Sequence, residues 1–264
     1  MKRTVIILIW VILIVGLFSV LGFAYRSHQE MICNKVDIQI KYNSGDYFIT
    51  TKDINDYFAL KKIRINGASL SEINTSEIET ALYGIPCIEA ADVYTNIDGD
   101  VEISITQRMP IVKVFNKFNQ PYYIDDKGKL MPSSDNYTAR LPVANGNIPQ
   151  LFNPGTMLDV SDSTGTDTVI MKTPLYKIFR LTQFIRKDDF WNAMIEEIFI
   201  NNDGEIELYT KIGDQTIIFG DIDNMGEKFN KLLVFYKKGL NKFGWDKYKT
   251  INIKYKNQVI CSKI

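Results

Sequence analysis

Residues 88–106 read IEAADVYTNIDGDVEISIT. Apolar and polar residues alternate on both sides of Asp98-Gly99, the pattern of half-buried strands. Asp-Gly between two such runs predicts a type I′ hairpin, whose central positions both need positive φ. Ile88–Asn96 and Val101–Thr106 are therefore expected to pair. Upstream, Pro86 stops a helix that Asn74 or Thr75 starts, with Ile78, Ala81 and Leu82 inward and Glu77 and Glu79 near its positive end. Before it, Thr51 is expected to cap a helix in which Ile54, Tyr57 and Phe58 share a face, and Val36–Ile40 alternates as a strand. The order over 36–106 is strand, helix, helix, strand, strand.

Toward the N-terminus, no charged residue occurs from Thr4 to Tyr25. At 1.5 Å per helical residue, roughly 20 such residues cover a hydrocarbon core of about 30 Å. A buried core helix of that length carries a polar face, and this run has none. A cleavable signal peptide is the rival, since Gly22-Phe23-Ala24 offers small residues at a cleavage spacing, but the apolar run exceeds the usual signal core. Lys2 and Arg3 on one flank, against Arg26 on the other, keep the N-terminus cytoplasmic. The expected layout is a tail at 1–3, a transmembrane signal anchor at 4–25, a linker at 26–35, a first domain at 36–106 and a β-rich second domain at 107–264.

In the second domain, strands are expected over Ile111–Phe118, Tyr122–Ile124, Ile195–Ile200, Glu205–Tyr209, Thr216–Phe219, Thr250–Tyr255 and Val259–Ile264. Residues 132–168, rich in Ser, Asp, Asn, Thr, Pro and Gly, read as irregular connections. Thr173-Pro174 opens a helix with a capping hydroxyl and a first-turn proline. The last helix spans about Met225–Phe243, with Phe229, Leu232, Leu233, Tyr236, Leu240 and Phe243 on one stripe and its lysines on a wet face. The fold class is α+β, with flanking helices on the second domain.

The balance of 31 basic and 31 acidic residues leaves no net field for nucleic acid. Cys33, Cys87 and Cys261 are too scattered for a zinc site or a disulfide framework and read as small apolar residues. The one histidine, His28, lies beside the membrane run, so a Ser-His-Asp or Cys-His hydrolase lacks its base unless His28 serves. No phosphate-binding glycine loop and no His-x-x-x-His pair occur. Asp125-Asp126 and Asp188-Asp189 resemble paired carboxylates, but a turn and a helix end are solvated structural settings. No catalytic, metal-binding or cofactor-binding residue is therefore assigned.

Several segments resemble the FtsQ/DivIB family of bacterial cell-division proteins. Strand-helix-helix-strand-strand behind an anchor resembles that family's POTRA domain. Gln107-Arg108-Met109-Pro110 resembles its Gln-Arg-x-Pro domain junction, and Tyr123–Gly128 its aromatic-hydrophobic-Asp-x-x-Gly element. Leu141-Pro142-Val143 with Gly146, then Ile218-Phe219-Gly220 with Lys228 and Lys231-Leu232, resemble two further elements. Ile251–Tyr255 resembles the C-terminal hydrophobic-Asp-hydrophobic-Arg-Tyr strand, with Asn252 and Lys254 in place of Asp and Arg. The resemblance implies a non-enzymatic inner-membrane scaffold with its bulk in the periplasm at the division septum. It implies strand addition by FtsB, paired with FtsL in a coiled coil, and regulation of septal peptidoglycan synthesis. The implied contact positions are Lys254, Tyr255, Asn257, Val259 and Ile260. A carboxylate-based periplasmic cell-wall hydrolase and a POTRA-type assembly chaperone are the alternatives.

Overall fold

The computed structural model describes residues 10–22, 30–42, 45, 47–134, 136–152 and 173–264. They divide into two compact units, one drawn from Met1–Asn43 and Ile49–Gln107, the other from Ser44–Phe48 and Arg108–Ile264. Helix α1 covers 10–22, with all of its residues exposed. The rest of the expected span, 4–9 and 23–25, lies outside the described residues, as does His28. Among the described residues no helix is long and apolar enough to cross a membrane.

In the first unit, β1 (Val36–Lys41), α2 (Thr51–Lys61), α3 (Thr75–Tyr83), β2 (Ile88–Thr95) and β3 (Val101–Gln107) follow in order. The sheet runs β1-β3-β2, with β1 parallel and β2 antiparallel to β3. The cap of α2 is Thr50 rather than Thr51: Asp53 N–H donates to its hydroxyl, and the Asp53 carboxylate accepts from Thr50 N–H at 2.8 Å. This reciprocal pair satisfies two donors that a helix start leaves open. Asn74 caps α3. Ile54, Phe58, Ile78 and Leu82 on the helices and Ile88, Val93, Val101, Ile103 and Ile105 on the strands are buried. Each large apolar side chain so buried is worth about 1.5–3 kcal/mol. Cys33, within the stretch expected as linker, is buried here: its N–H donates to Ala68 and its carbonyl accepts from Gly67.

The hairpin at Asp98-Gly99 forms, but its turn is not type I′. Gly99 has φ 87°, and Asp98 is not among the positive-φ residues. Gly99 N–H donates to the Asn96 carbonyl, and the Asn96 side chain accepts from Asp100 N–H at 2.9 Å. The same device recurs three times in the second unit. Asn116 accepts from Gln120 with Asn119 at φ 58°, Asp125 from Lys129 with Gly128 at φ 82°, and Asn201 from Glu205 with Gly204 at φ 76°. An Asx side chain closes the loop, and a residue that tolerates the left-handed region stands three positions on.

The second unit is a nine-stranded mixed sheet in the order β12-β11-β10-β9-β8-β7-β4-β5-β6. Its strands are β4 (Pro110–Phe115), β5 (Pro121–Asp125), β6 (Leu130–Pro132), β7 (Val143–Gly146), β8 (Ile195–Ile200), β9 (Ile206–Thr210), β10 (Thr216–Gly220), β11 (Tyr248–Asn252) and β12 (Ile260–Lys263). Strand β7 interrupts the stretch expected to be irregular, whose portion from 153 to 168 lies outside the described residues. Gly146 ends β7 with φ 96°, and a Cβ there would stand 2.2 Å from the Ile200 carbonyl oxygen. Only glycine fits so close a backbone approach.

Three longer or shorter helices contribute to the core: α4 (Pro174–Ile185), α5 (Asp189–Met194) and α6 (Met225–Phe235). Thr173 caps α4, its hydroxyl accepting from Tyr176 N–H. Leu175, Ile178, Phe179, Leu181 and Ile185 of α4 join Trp191, Phe219, Phe229, Leu232 and Tyr236 in one apolar cluster with the sheet. The expected last helix is not uniform: after α6 the chain widens into a π turn at Tyr236–Leu240, then α7 (Asn241–Phe243). The Phe243 side chain lies outside the described residues.

Candidate functional site

Strand β12 is the last strand of the sheet and pairs with β11 alone among the described residues. The strand expected over Thr250–Tyr255 ends at Asn252, and β12 begins at Ile260 rather than Val259. Of the five expected contact residues, Ile260 thus lies on the edge strand and Val259 just ahead of it. Lys254, Tyr255 and Asn257 occupy the connection. Asn257 takes φ 59°, the left-handed turn that sends the chain back. Tyr255 and Ile260 are 44% and 47% exposed.

Side chains from elsewhere hold the chain where it leaves the ladder. Lys231 of α6 donates from Nζ to the Ile253 carbonyl at 2.8 Å and to the Tyr255 carbonyl. Burial and the neighbouring Lys228 charge lower the Lys231 pKa. Lys254 Nζ donates to Glu205 Oε1 at 3.0 Å and Oε2 at 3.2 Å and stands 5.4 Å from the Tyr255 ring centre. The hydrogen bond that Lys254 donates to Glu205 raises the Lys254 pKa. Gly220, at φ 80°, makes room for this arm, since a Cβ there would sit 2.8 Å from Lys254 Cβ. Nothing local in the sequence signals Glu205, which lies 49 residues from Lys254.

The lysines of α6 do not all form a wet face. Lys228 is 3% exposed and donates to the Asp221 carbonyl at 2.7 Å and to Asp223 Oδ1 at 2.8 Å, with Phe219 beneath it. Beside β12 a groove of about 680 Å³ runs along α6 and the π turn, lined by Lys231, Val234, Phe235, Lys238 and Val259. Val234, Phe235 and Val259 make it apolar, and Lys231, Lys238 and Glu227 add charged groups to its lining.

The junction residues and the candidate carboxylates have structural partners. Gln107 is buried and accepts from Ile49 N–H at 3.2 Å, and Pro110 begins β4. Arg108 pairs with Asp125 at 2.9 Å. Asp125 is therefore not solvated, as a turn position suggests, but fully buried. Asp188 caps α5, accepting from Phe190 and Trp191 N–H. Among the described residues no group of three His, Cys, Asp or Glu is placed to hold a metal ion.

Residues 31–106 match the model of a POTRA-like domain. Residues 109–262 match the model described as FtsQ/DivIB, C-terminal related. The chain belongs to the FtsQ/DivIB family. A search of curated proteins finds no match. Membership in FtsQ/DivIB makes this a division-related protein of a family that is generally non-enzymatic and acts as a scaffold. The two departures from the FtsQ/DivIB strand pattern also acquire a geometry. Asn252 Oδ1 accepts from Lys254 N–H at 3.1 Å, a bond that an aspartate oxygen at this position would equally accept. Lys254, lacking a guanidinium fork, still reaches both oxygens of Glu205.

Proposed function

We propose that this protein is a non-enzymatic, membrane-anchored scaffold of the divisome that binds single-pass division proteins by strand addition and so regulates septal peptidoglycan synthesis. The observation that carries this reading is the outer edge of β12, the terminal strand of the sheet. An edge strand presents unpaired N–H and C=O groups to which an extended segment can bond, and alternate side chains then give selectivity. Lys254, Tyr255, Asn257, Val259 and Ile260 are the contact positions. The partner is an FtsB-like strand from a coiled coil with an FtsL-like protein, its apolar flank entering the groove at Val234 and Phe235.

The anchor belongs to the same proposal. Helix α1 presents apolar side chains on every side, including Trp10, Leu13, Leu17 and Phe18, and it lies within the uncharged run from 4 to 25. A helix apolar all round suits lipid. Lys2 and Arg3 hold the N-terminus in the cytoplasm, and the POTRA domain (36–106) and β domain (107–264), joined at Gln107, Arg108 and Pro110, lie in the periplasm at the septum.

Site-specific photocrosslinking from Tyr255 and Val259 in living cells tests the site. The expected product contains a small single-pass coiled-coil protein. If these positions stay silent while other surface positions capture that protein, the site assignment fails.

A further inference from the structure

The topology gathers a second set of charged residues at the opposite end of the large sheet from the Lys254 turn. Strands β4 and β8 begin there with Ile111 and Ile195 near their starts, β7 enters through Arg140-Leu141-Pro142, and β9 leaves into Lys211. Arg186, at the C-terminus of α4, and Asn192 of α5 complete a pocket of about 480 Å³. That volume falls within the range of about 300–1,000 Å³ typical of ligand pockets, far larger than one small ion needs.

Two features set this pocket apart from an ordinary charged surface. The pairing of β4 with β5 shifts register between Pro110 and Val112, and that of β8 with β9 between Ile195 and Glu197. The extra residues are Ile111 and Glu196, and both line the pocket. Bulges of this kind re-aim side chains and are over-represented beside binding sites. The second feature is charge. Arg140, Arg186 and Lys211 are all exposed, and among the described residues no carboxylate forms an ion pair with any of them. Arg186 makes one long contact, 3.9 Å to Met109 Sδ. Among the described residues Glu196 is the single acid in the lining. Cations converging on a concavity concentrate a positive field there and attract an anion.

We infer that this pocket docks an acidic peptide segment of a partner protein. Guanidinium groups match carboxylates with two parallel hydrogen bonds. Leu141 and Pro142, half-buried on the wall, offer apolar contact that a bare inorganic anion leaves unused. The site does not depend on strand addition at β12.

The test uses full-length protein and a dye-labelled peptide of alternating Glu and Leu, with the Gln-Leu peptide as neutral control and inorganic phosphate as competitor. The Glu-Leu peptide binds and the control does not. Arg140→Ala and Arg186→Ala each weaken binding about tenfold. Glu196→Gln tightens it, a change of sign that misfolding cannot imitate. Equal binding of both peptides, or indifference to all three substitutions, overturns the inference. Displacement by phosphate at low concentration overturns it in favour of a simple anion site. Loss of binding in Tyr255→Asp but not in Arg140→Ala places the peptide on β12 and likewise overturns it.

Discussion

The Arg108 guanidinium donates to Asp125 Oδ2 at 2.9 Å, the acid fully shielded from water and the base 9% exposed. The other carboxylate oxygen accepts from Lys127 and Lys129 N–H and so closes the turn after β5. Burial raises the Asp125 pKa, opposed by the hydrogen bonds from Lys129 and Arg108. One side chain thus ends a hairpin and neutralises an arginine at the start of the second unit.

Removing the arginine strands a buried carboxylate. Arg108→Met should destabilise the second unit by about 3–5 kcal/mol. Asp125→Asn keeps the turn acceptor that Asn96, Asn116 and Asn201 supply elsewhere, and should cost less, about 1–2 kcal/mol. Urea unfolding followed by tryptophan fluorescence measures both, and the reverse ranking would contradict the assignment.

Gly220→Ala forces a side chain into the left-handed region and against Lys254. A cost of about 2 kcal/mol is expected from the backbone alone. Displacement of the Lys254 arm should also weaken partner capture at Tyr255, measured by pull-down from cells.

The Asp223 carboxyl is held below its ordinary value chiefly by the hydrogen bond from Lys228, with burial opposing. Its contribution to stability is present above the ordinary aspartate value of about 4 and is lost as pH falls through the lowered one. Wild type should therefore exceed Asp223→Asn in urea midpoint at neutral pH, and the difference should vanish below that window. Because Asp223 is 61% exposed, solvent screening keeps the difference small. A difference that persists unchanged into acid would assign the effect to something other than the ion pair.

Tyr255→Asp places a negative charge in the turn ahead of β12 without touching the core. The partner complex should weaken while the unfolding midpoints of both units stay in place. Normal recovery of the partner by this variant would remove Tyr255 from the contact surface.

Local pattern carried much of the fold. The Ile88–Thr106 hairpin, the Asn74 cap and the Thr173-Pro174 helix start depend on residues within a few positions of one another, so the sequence displays them directly. The turn form at Asp98-Gly99 is not legible locally, because Asn96, not the Asp-Gly pair, closes the loop. Strand β7 is not legible because four residues carry too little alternation. Helix α5 is hard to read because six residues make less than two turns, although Asp188 stands at its cap. The end of β11 is not legible because Ile251, Ile253 and Tyr255 continue the alternation past Asn252. Past Asn252 the Ile253 N–H still donates to the Ile218 carbonyl, while Lys231, on a helix more than 20 residues away, claims the Ile253 and Tyr255 carbonyls. A separation of 49 residues hides Glu205 as the partner of Lys254, and 17 residues hide Arg108 as the partner of Asp125.

The two ends of the nine-stranded sheet are unlike. At β6 there are three residues, Leu130 and Met131 are fully buried, and Pro132 has no N–H to give. At β12 there are four, and Ile260, Ser262 and Lys263 are exposed. A sheet extensible at one end has a valency of one. Each copy would then accept a single added strand at this sheet and could not template a chain of copies through it, so the number of copies would set how many strands this edge can hold.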